Sequence, residues 1–313
     1  MREGEHMMNK KRLRTLLAFV MAAALFCAAW IIASDVYDWW HARNMQQSLK
    51  ALYPLTSGRI LFPAEAAAEE FFESDDFPEI ELFPDEPLKP GKAGEDTDDE
   101  TLFPDPVFQE DFSALYDVNP DVVGWLTAGE NIDYPVVLRD NEYYLERNFY
   151  QKQDSNGALF LNEANSIWPK DTVMLIHGHA MRGRAMFGDL RRFKDEAYFR
   201  IYPVVTFRTI YDEEPVNYVP VAAFDASMDE KDKWYFDLSK LSFETPEDYE
   251  TYLSEIRERA YWQSPFDVNV EDHLIVLVTC SYIQTNGRFM LFCRELRENE
   301  TVDSVHATLN TSW

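Results

Sequence analysis

The apolar positions fall into two kinds of pattern, separated by a long polar interval. Residues 15–33 read TLLAFVMAAALFCAAWIIA, a run without a charge, which as a helix spans about 28 Å against a bilayer core of roughly 30 Å. That is long enough to cross a membrane. Arg2, Lys10, Lys11, Arg12 and Arg14 precede the run, whereas Asp35 and Asp38 follow it before the next base, Arg43. This asymmetry predicts a cytoplasmic N-terminus with everything after the helix outside. The run exceeds the apolar core of about 7–15 residues of a cleaved signal, so an uncleaved anchor is expected, with Trp39 and Trp40 in the interfacial belt and Cys27 in lipid.

From residue 112 the pattern becomes short apolar runs punctuated by turns. NPDVVGW (119–125) opens the series, and IDYPVVL (132–138), GALFLN (157–162), TVMLIHGH (172–179), YPVVTFRTIY (202–211), VNYVPVAAF (216–224), HLIVLVTCSY (273–282) and GRFMLFCREL (287–296) continue it. These runs are rich in β-branched and aromatic residues, which predicts strands in a mixed, mostly β barrel or sandwich rather than βαβ repeats. Helix is expected at 187–201, which is amphipathic, and at 245–262. The second carries a Thr N-cap, Pro at its first position, early acids, and Tyr249, Tyr252, Leu253 and Ile256 on one face.

Composition sharpens the interval between these regions. QQSLKALY favours a short helical stalk within 43–63. Residues 64–111 contain 18 acids, two bases and six prolines, and so carry −16 of the formal net charge of −27. Such a segment is expected to be unfolded and extended by self-repulsion. Its reach of roughly 40 Å is enough to lift a domain off a membrane. LFP recurs in or beside it at 61–63, 82–84 and 102–104, either by compositional coincidence or as docking motifs. With 313 residues, 46% of them hydrophobic, the chain has room for one catalytic-sized core. Its acidity opposes capture of a phosphate backbone and argues against nucleic acid. Three cysteines allow no disulfide framework, and the absence of a Gly-rich phosphate loop, a CxxC pair or HExxH leaves nucleotide and zinc chemistry without support.

Candidate chemistry then narrows to a few side chains. Cys280 ends the apolar strand VLVTC, where a thiol can face a groove as readily as a core. Arg288 opens the next strand, and a hairpin would bring it back beside Cys280, where a guanidinium favours thiolate and any oxyanion formed on a carbonyl. A base is also needed. Of six histidines, His6 and His41 flank the apolar helix and His306 lies near the C-terminus, which leaves His177, His179 and His273. His177 and His179 end a strand in LIHGHAM. A Cys, a His and an Arg at strand ends meet the requirements of thiol acyl transfer. Cys293 reads as a packed apolar residue.

These residues resemble the sortase family, and class B within it. Leu277, Thr279 and Cys280 match the TLxTC signature, Gly178 and His179 match the family's GH, and Arg288 matches its arginine on the strand after the cysteine. NPDVVGW, IDYPVV and MFGDL (186–190) are also family-like, and the helix at 245–262 separates class B from class A. The resemblance covers about residues 112–296. It departs at Val276, where Thr is usual, at His177, where an aromatic is common, and at Ala180, where Asn often follows the histidine. The resemblance favours His179 over His177 and leaves His177 in the pocket wall.

It implies a mixed β-barrel with peripheral helices, and a membrane-anchored cysteine transpeptidase of a Gram-positive cell with Cys280, His179 and Arg288 as its catalytic residues. The implied substrate is a surface protein with a C-terminal sorting signal, NPxTN-like or LPxTG-like, transferred to an amine of a cell-wall precursor or a pilin. No metal or organic cofactor is implied. A thiol hydrolase without transfer and a non-enzymatic adhesion module on an acidic stalk are the alternatives. The expected organisation is a basic tail (1–14), an anchor (15–34), a stalk (35–63), an acidic linker (64–111), a catalytic domain (112–297) and a C-terminal tail (298–313).

Overall fold

A computed structural model describes residues 2–53, 105–181, 184–281 and 286–311; the three LFP segments lie outside them. The strands are β1 (Val122–Ala128), β2 (Ile132–Val137), β3 (Leu159–Leu161), β4 (Val173–His177), β5 (Val205–Thr209), β6 (Val216–Ser227), β7 (Leu274–Ser281) and β8 (Gly287–Glu295). They close a barrel in the order β1, β2, β3, β4, β7, β8, β6, β5, so the expected mainly β, mixed barrel is the fold. β2 runs parallel to β3 and β4 parallel to β7, and the other neighbours are antiparallel. β4 and the apolar part of β7 are central and buried residue after residue, which is why they read as unbroken apolar runs rather than alternating ones.

The α-helices of the described residues are α1 (Arg2–Leu52), α2 (Ser113–Val118), α3 (Glu196–Ile201), α4 (Pro246–Arg259) and α5 (Val302–Thr311). α4 follows its sequence signals. Thr245 accepts the backbone N–H of Asp248, a cap worth about 1 kcal/mol, and Tyr249, Tyr252, Leu253 and Ile256 are buried. The helix expected at 187–201 is instead broken in two. A 3₁₀ turn at Leu190–Lys194 gives way to α3 because Asp195 is extended and caps Ala197 with its carboxylate.

Two other expectations change. Within the expected stalk at 35–63, residues 42–53 are not a free spacer, since Ala42, Met45 and Leu49 on one face of α1, and Tyr53 just past its end, are buried on the barrel. Burying each of the larger three contributes roughly 1.5–3 kcal/mol. The Tyr53 ring stacks on Trp125 at 4.7 Å and meets Phe112 at 4.9 Å. Arg208, itself 3% exposed, donates to the Tyr53 hydroxyl and to Asp111, so Tyr53 and Asp111 meet at one guanidinium. Residues 64–104 of the acidic interval lie outside the described residues. The expected tail at 298–313 also packs. Val305 and Leu309 are buried, and Arg294 holds Glu300 through two hydrogen bonds of 2.6 and 2.9 Å.

Candidate active site

Three strand ends converge at one mouth of the barrel. In the parallel pair, His177 of β4 stands opposite Val278 of β7, which brings the residues two further on, His179 just past β4 and Cys280 within β7, to the same mouth of the barrel. In the antiparallel pair, Cys280 stands opposite Arg288 of β8. The thiol thus has an imidazole on one flank and a guanidinium on the other. All three line a cleft of about 350 Å³, whose walls include Leu145, Asn162 and Met228.

Thr279 and Gly178 hold the two parallel ends together. The Thr279 hydroxyl donates to the Gly178 carbonyl at 2.7 Å, and the Gly178 N–H donates to the Val278 carbonyl. Position 178 must be glycine, because a Cβ there would lie 2.4 Å from Leu159 and 2.8 Å from the Phe187 ring. This clamp explains what the threonine of VTC does locally.

The pairing of His179 with Cys280 is the largest influence on the titration of both. It lowers the thiol below the ordinary cysteine range, with Arg288 adding to the effect and burial opposing it. It raises His179 above the ordinary histidine range, helped by the Leu145 carbonyl and opposed by burial and Arg288. His179 Nε2 lies 2.6 Å from the Leu145 oxygen. Since Nε2 donates to that carbonyl, Nδ1 is left for the thiol. Both shifts run toward thiolate and imidazolium, and thiolate is the nucleophilic form of cysteine.

His177 sits in a different environment. Its ring stacks on Phe160 at 5.1 Å, and the Asn162 amide donates to Nε2 at 3.3 Å. Burial, with Arg288 second, pushes it down to about 4, so it is neutral at pH 7 and serves as wall. His273 lies at the opposite end of β7, with Nδ1 3.2 Å from the Asp171 carbonyl. Seven residue steps of extended chain, about 23 Å, separate it from Cys280. Cys293 is fully buried and its thiol is raised by that burial. Among the described residues, no group of three or more His, Cys, Asp and Glu is placed to hold a metal ion.

The Leu145 carbonyl and Gly157 have no counterpart among the residues singled out by sequence. Gly157 has φ +62, and a Cβ there would meet the Leu145 oxygen at 2.9 Å and His179 Cδ2 at 3.1 Å. The Ser-Asn-Gly turn preceding β3 was the available signal. A backbone acceptor leaves no residue-type signature at all.

No family model matches the chain. It is similar to sortase B of Listeria monocytogenes, with 30% identity over 174 residues, 55% of this chain and 68% of that protein. A solved mutant form of Clostridium perfringens sortase B shares 29% identity and a TM-score of 0.54, covering 60% of this chain and 87% of its own. A Bacillus anthracis protein described as similar to sortase B gives 25% identity and a TM-score of 0.54, over 61% and 85% of the two chains.

Proposed function

The chain belongs to the sortase B family of cysteine transpeptidases, and from that premise we propose how this member works: Cys280 cleaves a C-terminal sorting signal, and the freed acyl group passes to an amine. The observation that carries the reading is the placing of His179, Cys280 and Arg288 in one cleft, with Arg288 in register beside the thiol and the imidazole and thiol shifting each other in opposite directions. The Cys280 thiolate attacks the carbonyl of the signal's threonine. The oxyanion that forms is stabilised by Arg288. As the tetrahedral species collapses, the C–N bond breaks, imidazolium His179 gives its proton to the leaving amine, and a thioester remains. His179, now neutral, takes a proton from the incoming amine as that amine attacks the thioester; the C–S bond breaks and the Cys280 thiolate is released beside the imidazolium. His177 stays neutral and shapes the wall.

The acceptor is an amine of a cell-wall precursor or a pilin, and the signal is NPxTN-like or LPxTG-like. α1 serves as a single-pass anchor with the N-terminus in the cytoplasm. Supporting this, its span Phe19–Leu52 contains an unburied window of mean hydropathy 2.0, and basic residues precede that window. The test is product analysis with the full chain in micelles, using NPxTN and LPxTG peptides with and without an amine. The reading requires an amide product that depends on the amine. Water as the sole acceptor under every condition means a hydrolase, and no cleavage with an intact thiol overturns the reading.

A further inference from the structure

The carbonyl that receives the His179 ring belongs to a turn that folds back on itself between residues 143 and 158. Asp154 N–H donates to the Glu146 carbonyl at 2.9 Å, Ala158 N–H to Tyr144 at 3.0 Å, and Gly157 N–H to Asp154 at 3.1 Å. At its centre the Asp154 carboxylate, 6% exposed, collects four donors. Oδ1 accepts from the Asn156 backbone and amide. Oδ2 accepts from the Asn148 amide at 3.1 Å and from Nε2 of His41 at 3.0 Å. Asn148 and Asn156 are buried.

His41 comes from the docked end of α1, 113 residues away in sequence. Other α1 docking bonds go elsewhere, as Gln46 shows by donating to the carbonyls of Asn131 and Asp133. His41 therefore ties the N-terminal helix to the turn that seats the imidazole.

We propose that Asp154 and His41 are positioning residues for His179, so that the seating of the N-terminal helix tunes the thiol–imidazole pair. The physical reason is geometric. The Leu145 oxygen fixes the ring's rotation and tautomer, and an error of about 1 Å in such a constellation costs up to roughly a hundredfold in rate. Asp154 in turn fixes where that oxygen sits. A loosened turn weakens the bond that favours the imidazolium, which lowers the basicity of His179 and raises the thiol.

This inference rests on His179 being the acid and base of the reaction, and its test has a readout that needs no peptide. The full-length protein in micelles is compared with His41→Ala, His41→Gln, Asp154→Asn and Gln46→Ala. Alkylation of Cys280 by iodoacetamide is followed across pH by peptide mass spectrometry, alongside kcat and KM for a sorting peptide. His41→Ala and Asp154→Asn should move the alkylation midpoint upward and lower kcat about tenfold, with little change in KM. His41→Gln, whose amide still reaches Asp154, should restore both, and Gln46→Ala should leave both unchanged. An unmoved alkylation midpoint in His41→Ala, or an equal shift in Gln46→Ala, overturns the proposal. If the midpoint shifts while no variant, nor the native chain, turns over any peptide, positioning stands and the transpeptidase reading fails. Should Asp154→Asn not fold, half-exposed His41 still decides the matter.

Discussion

Cys280 and Arg288 are register partners across the β7–β8 pair, which places a fixed positive charge against the thiol without any help from loop conformation. With His179 as the larger influence, the thiol is shifted below the ordinary cysteine range, about 8.5. We expect alkylation of Cys280 to rise through a midpoint below that value. His179→Ala should move the midpoint up most, because burial then acts with less opposition, and Arg288→Ala should move it up by less. An Arg288→Ala profile that overlays the native one would show that the pairing has no electrostatic consequence.

His177 and His179 share a strand end and differ in environment. Removal of His179 should lower kcat by about 10²–10⁴, the usual worth of a positioned acid and base, whereas His177→Ala should keep cleavage within about tenfold. Steady-state kinetics on one sorting peptide decides between them, and the reverse ranking would transfer the proton chemistry to His177.

Because Tyr53 and Asp111 meet at Arg208, cutting the chain between them should not free the barrel. A protease site inserted near residue 91 tests this by size exclusion. The cut native protein should run as one particle until denatured. Tyr53→Ala, which costs about 3–5 kcal/mol for a buried aromatic, should let the fragments part. Release of the barrel from the cut native chain would restore the acidic interval to the role of a tether.

Arg294 is fully buried and Glu300 supplies its carboxylate. Glu300→Gln should cost about 2 kcal/mol at pH 7, read as a lower urea midpoint. The Arg294 bond holds the Glu300 carboxyl below the usual carboxylate range. Its contribution is therefore complete above the unfolded value of about 4.3 and fades as pH falls through the lower folded value. The gap between native and variant should narrow at pH 3, and a gap of unchanged size there would contradict this origin.

The parts of the structure that sequence reveals are those built from local signals. β4 and β7 announce themselves as unbroken apolar runs, the Cys280–Arg288 pair follows from a hairpin, and Thr245 marks the start of α4. The parallel pairing of β4 with β7 joins Gly178 to Thr279 across 101 positions, and periodicity carries no information about which strand is the neighbour. That is why His177 and His179 stayed open on spacing and only the family resemblance favoured one. Ala42, Met45, Leu49 and Tyr53 lie at helical spacing, but the helix-forming composition of QQSLKALY that marks a stalk says nothing of what that face meets. Asp195 broke an amphipathic pattern because its capping bond outweighed helix continuity.

The most direct measurement is the intact mass of the full chain after brief incubation with an NPxTN or LPxTG peptide and no amine. A gain equal to the acyl fragment ending in threonine, mapped to Cys280 and removed on adding an amine, is the expected result. Turnover of the peptide with no adduct at Cys280, or turnover that survives Cys280→Ala, would contradict the account.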